Sequence, residues 1–145
     1  MSRRASRETV MKLLYQSEFH NETISKDRNE IFEETKGSDS ERAYIEKVCS
    51  GVSEKKAELD AAIESHLKGW KISRISKVDL SILRTAVFEI TYLEEIPVSV
   101  SINEAVELAK KFSTAESASF INGLLSNLVK DKSWIEKTTW QKSSL

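Results

Sequence analysis

The stretch SKVDLSILRTAVFEITYL, residues 76–93, decides the fold. Val78, Leu80, Ile82, Leu83, Ala86, Val87, Phe88, Ile90, Tyr92 and Leu93 leave almost no polar side on a helix of this length. A helix apolar around its circumference belongs in the middle of a protein, with other helices packed on it. One proline, Pro97, and four glycines supply little of the turn punctuation that sheets and hairpins need, so the chain is expected to be all-α.

Working outward, amphipathic stripes flank this centre on both sides. Val10, Leu13 and Leu14 mark a first helix from about Arg4 to Phe19, and a weaker, charged helix is expected from about Ser25 to Thr35. Ser38 and Glu41 match a capping box ahead of Ile45, Val48, Cys49 and Val52. Leu59, Ala62, Ile63 and Leu67 form the next stripe, which Gly69 closes. Beyond Pro97, which stops helix propagation, Ser101 with Glu104 reads as a second capping box. It leads into Ile102, Ala105, Val106, Ala109 and Phe112, with Glu107 and Lys111 as an i, i+4 ion pair. Ser113 with Glu116 repeats the box before Ile121, Leu124, Leu125 and Leu128. Asn122 and Gly123 interrupt this last helix, where glycine costs about 1 kcal/mol relative to alanine. Either a close helix crossing or exposure of backbone to a ligand would explain them. A single domain over residues 1–133 and a polar tail over 134–145, anchored by Trp134 and Trp140, are expected.

Composition excludes several classes. The chain has 145 residues, a length that suits one core, with 39% hydrophobic and 31% charged residues. No run approaches the ~20 apolar residues of a membrane span. No signal peptide precedes the amphipathic start, and Cys49 is the only cysteine, so a reducing, cytoplasmic setting is expected. His20 and His66 sit in no metal-ligand spacing, the glycines form no phosphate-cradling loop, and no nucleophile motif occurs, so neither catalytic residues nor a metal or cofactor is expected.

Charge is distributed unevenly within a net −1. Residues 1–21 hold four basic against two acidic residues, and residues 22–64 seven against twelve. At the start of the first helix Arg3 and Arg7 are spaced i, i+4, with Arg4 beside them. Positive charge there opposes the helix macrodipole, so helix stability does not account for it. Guanidinium forks suit phosphate oxygens, which makes the cluster a candidate nucleic-acid contact. A basic start that merely aids solubility remains the plain alternative, just as Phe120 could stack on a base or simply join the core.

The run IPVSVSINEAVELAKKFS, residues 96–113, followed by SFINGLL, residues 119–125, resembles the C-terminal signature of the NusB family of bacterial transcription antitermination proteins. Arg3-Arg4-Ala5-Ser6-Arg7-Glu8, Trp70, Val78-Asp79, Ile82-Leu83-Arg84 and Phe88-Glu89 fall in matching order, so the resemblance covers nearly the whole chain. It implies about seven helices in two packed subdomains, and binding of boxA RNA together with ribosomal protein NusE. The complex so formed would help RNA polymerase read through terminators, notably in ribosomal RNA operons. By the same resemblance Arg3, Arg4 and Arg7 contact RNA, Lys110 and Phe120 lie on the RNA-facing surface, and Glu116 tempers RNA affinity. Tyr15 and Asp79 fall on the NusE-facing surface.

Ser99, Leu80 and Ser126-Asn127 replace charged residues common in the family, which implies weaker RNA binding by the chain alone. Two other readings stay open: a helical scaffold or homodimer that binds only protein, and the NusB-like domain that precedes the catalytic domain of some ribosomal RNA methyltransferases.

Overall fold

The computed structural model describes residues 2–19, 38–131 and 134. Residues 76–93 do form the central element: helix α4 spans Lys77–Tyr92, and all thirteen residues from Asp79 to Thr91 are buried. The Ser76 side chain starts the helix by accepting the Asp79 amide at 3.2 Å. Around α4 pack α1 (Arg3–Ser17), α2 (Asp39–Glu54), α3 (Lys56–Glu64), α5 (Val98–Phe112) and α6 (Ala115–Lys130), so that α1 with α2 and α5 with α6 form two groups sharing one helix. A 3-10 turn at Ile72–Arg74 precedes α4. The class is all-α as expected, with six α-helices among the described residues; the expected helix at 25–35 lies outside them.

The apolar stripes read from the sequence meet in one core. Val10, Ile45, Val48, Ile63, Leu83, Ile90, Ile121, Leu125 and Leu128 are each at most 1% exposed, and Trp134 packs against the same cluster. Ser38 and Glu41 make the expected capping box, each side chain bonding the other's backbone amide. Gly69 adopts φ +80°, a left-handed turn that favours glycine, in the segment between α3 and the 3-10 turn.

Other local expectations are corrected. Pro97 lies five residues beyond the end of α4 and is the N-cap of α5, with φ −59° and ψ 141°, a φ that its ring fixes. Ser101 therefore sits one turn inside α5, buried, and its hydroxyl donates to Glu89 instead of capping. The α6 cap is Thr114, not Ser113: its side chain accepts the Ser117 amide at 2.9 Å. Lys111 pairs with Glu8 of α1 at 2.7 Å, while Glu107 pairs with Lys110 at 3.5 Å. Among the described residues no close crossing explains Gly123, since a Cβ there would meet nothing within 4 Å. The close approach is at Gly51, where a Cβ would come within 2.2 Å of the Phe88 ring.

Candidate nucleic-acid interface

Helix α1 begins on the Ser2 side chain, which accepts the Ala5 amide at 3.1 Å, and no acidic residue occupies its first turn. The three arginines that follow have three different fates. Arg3 is exposed and lies over the Tyr44 ring, 4.2 Å from its centroid, with no carboxylate partner among the described residues. Arg4 reaches across to α5 and grips Glu104 with two hydrogen bonds of 2.9 Å, its side chain still 59% exposed. The hydrogen bonds and charge of Glu104 push the Arg4 pKa further up, and those of Arg4 hold the Glu104 carboxyl below its ordinary value.

Arg7 faces inward, and its expected phosphate contact is corrected on that ground. Its side chain is 6% exposed and that of its partner, Glu89 of α4, 1% exposed. The guanidinium donates to Glu89 through Nε at 2.8 Å and Nη2 at 3.1 Å. Glu89 also accepts from the Tyr44 hydroxyl and, at 2.8 Å, from Ser101. Burial works against the charge on Arg7, but the Glu89 hydrogen bonds and charge outweigh it and raise the arginine's pKa. The Tyr44 phenol is pushed up by burial and then by the neighbouring carboxylate, so it stays a hydrogen-bond donor. A buried carboxylate with four donors is a satisfied structural hub. Two of the nitrogens of Arg7, Nε and Nη2, are committed to this hub.

The remaining RNA-side candidates lie along α5 and α6. Lys110 is exposed in the last turn of α5, where a cation also suits the helix dipole, and its 3.5 Å pair with Glu107 is loose. A groove of about 460 Å³ runs from Lys110 and Val106 to Ala115, Ala118, Ser119 and Asn122 of α6. Glu116 is exposed in the first turn of α6, and Phe120, one turn on, is half-buried. Phe120 packs against the exposed Trp70 ring, centroids 5.4 Å apart at 40°.

The two residues expected on a protein-facing surface separate. Tyr15 is exposed near the end of α1 and meets Phe19 edge to face at 5.1 Å; Phe19 is 52% exposed, and Lys77 Nζ lies 5.7 Å from its ring centroid. Asp79 is only 7% exposed, so its expected role as a presented partner contact is corrected: Oδ2 accepts from Ser117 of α6 at 2.6 Å, and Oδ1 is buried with no hydrogen-bond partner among the described residues. Beside the aromatic pair, Glu18 binds Arg84 of α4, which also forks onto Asp60 of α3 at 2.7 and 2.8 Å. Burial tends to raise the Glu18 carboxyl, but Arg84, then Lys56 and Lys77, hold it below its ordinary value.

Sequence reasoning missed Phe19 as an exposed anchor and Glu89 as the partner of Arg7. Phe19 was readable as an apolar residue just past a helix end. Glu89 gave no such signal, because its partner is 82 residues away.

Comparison with known proteins gives these surfaces a context. The sequence profile of the NusB family matches residues 4–130. The transcription antitermination protein NusB of Acetivibrio thermocellus is 50% identical over 132 residues, 91% of each chain. That of Agathobacter rectalis is 47% identical over 127 residues, 86% of this chain and 97% of the relative. Among solved structures, NusB of T. maritima superposes with a TM-score of 0.83 at 33% identity, covering 94% of this chain and 98% of that one. A complex of the antitermination factors NusB and NusE with double-stranded RNA contains a chain that superposes with a TM-score of 0.80 at 27% identity, covering 88% and 96%.

Proposed function

The chain belongs to the NusB family, and from that premise we propose that it is a non-catalytic transcription antitermination factor that binds boxA-type RNA jointly with ribosomal protein NusE in the cytoplasm. Its work is to help RNA polymerase pass terminators, notably in ribosomal RNA operons.

The observation that carries this reading is the exposed first turn of α1. Arg3 has no carboxylate partner among the described residues, and Arg4 is held only by a surface bridge. The Arg4 side chain stays 59% exposed, so a phosphate can compete with Glu104 for its guanidinium. Lys110 and Phe120 extend the surface along α5 and α6, and Glu116 sets an acidic limit on its affinity. Arg7 acts through Glu89, fixing the helix from which Arg3 and Arg4 project. NusE is received at the Tyr15 and Phe19 pair, since exposed aromatics are the usual anchors of protein interfaces. Asp79, buried, ties α4 to α6 through Ser117. The near-neutral net charge supports joint binding: a chain with few phosphate contacts gains little from counterion release alone.

A titration of fluorescent boxA-type RNA tests the reading. The chain with NusE binds more tightly than either protein alone; equal affinity with and without NusE would refute it.

A further inference from the structure

Between Glu64 and Asp79 the chain carries Lys68, Lys71, Arg74 and Lys77 and no acidic residue, in a protein whose net charge is −1. Lys68, Lys71 and Arg74 are exposed, and none of them forms an ion pair with a described residue. Arg4, Arg84, Lys110 and Lys111 do form such pairs, while Arg3, also exposed, does not. In the middle of this run Trp70, 40% exposed, leans on Phe120. Gly69, next to Trp70, takes the left-handed φ of +80°, and a Cβ at Gly123, one turn beyond Phe120, would meet nothing within 4 Å among the described residues.

Packing does not require a tryptophan so exposed, nor three unpaired cations within seven residues of chain. An indole face with exposed, unpaired cations next to it in the chain is what an unpaired nucleobase and its phosphates select: every base has a π-face, and the charges follow the backbone. We propose that Trp70, braced by Phe120 and flanked by Lys68, Lys71 and Arg74, receives one unpaired base of the bound RNA. The site rests on the RNA-binding reading above and continues its surface past Phe120.

The test uses the full chain with NusE and a boxA-type RNA oligonucleotide, and then the same RNA with single abasic positions. Trp70→Ala weakens binding about five- to a hundredfold, the range of one base–aromatic stack, while Trp70→Phe retains most of the affinity. One abasic position reproduces the loss and adds nothing further in the Trp70→Ala background. Wild-type affinity of Trp70→Ala, or losses that add at every abasic position, would overturn the site. So would a Trp70→Ala variant that loses capture of NusE in the absence of RNA, which would make this a protein contact. Should alanine loosen the loop, the exposed triple Lys68→Gln, Lys71→Gln, Arg74→Gln carries the test. It flattens the salt dependence by up to about 2 log units per log unit of salt, and an unchanged slope refutes the proposal. If the wild-type chain with NusE binds no such RNA, the function and the site fall together; if it binds and the variants match it, the site alone falls.

Discussion

Replacing Arg7 with alanine removes two of the four donors to Glu89, a carboxylate 1% exposed, and leaves its charge facing only the Tyr44 and Ser101 hydroxyls. Breaking a buried pair from one side costs about 3–5 kcal/mol, because the remaining charge cannot regain water. For a chain of 145 residues, each kcal/mol moves the melting temperature by roughly 3 °C. The variant should therefore melt about 9–15 °C lower by circular dichroism, with a matching fall in the urea midpoint. Adding Glu89→Gln should recover part of the loss, since a neutral amide still accepts from the two hydroxyls and leaves no stranded charge. Below its melting range the Arg7→Ala protein should bind RNA within about twofold of wild type, because Arg7 touches no solvent-facing ligand. An unchanged melting temperature together with a severalfold loss of RNA affinity would refute this account and return Arg7 to the phosphate contacts.

Arg3→Ala with Arg4→Ala should do the opposite: the melting temperature falls only by the modest worth of the two-pronged Arg4–Glu104 bridge, and RNA binding weakens with a salt slope flatter by roughly 0.7 for each phosphate no longer neutralised, read from titrations at several salt concentrations. Tyr15→Ala with Phe19→Ala should weaken capture of NusE in a pull-down or calorimetric titration and spare the melting temperature. The carboxyls of Glu18 and Glu104 lie below their ordinary 4.5 when folded. Their stabilisation is thus complete above that value and lost as pH falls through the lower folded values, so melting temperature should hold from pH 7 to about 5.5 and drop below about 4.5; Glu18→Gln with Glu104→Gln should make that acid limb shallower. Gly123→Ala should stabilise α6 by up to about 1 kcal/mol, whereas Gly51→Ala, which meets the Phe88 ring, should cost about 1–3 kcal/mol.

How much of this was legible depends on whether a feature is local. Helix α4 is readable because its apolar residues outnumber what one face can hold, and the Ser38 box because both partners lie within four residues. Ser101 misleads because its pattern is that of a cap; a distant carboxylate, not a free helix end, claims its hydroxyl. Spacing puts Arg3 and Arg7 on one side of α1, and both do approach Tyr44. Nothing in that spacing says that one turn of helix separates solvent from core. The sequence offers Asp79 to a partner, yet a helix apolar on every side turns even its charged residues inward, where Ser117 meets it.

The Glu89 hub also bears on how the chain assembles. Its donors come from positions 7, 44 and 101, so during synthesis the anion lacks a complete shell until the fifth described helix has emerged. Arg7 and Tyr44 precede Glu89 in the chain and supply its counter-charge and three of its donors, so what the arrival of α5 adds is the last hydroxyl, from Ser101. Helix α5 is thereby given one fixed seat on a carboxylate already neutralised by the helices made before it.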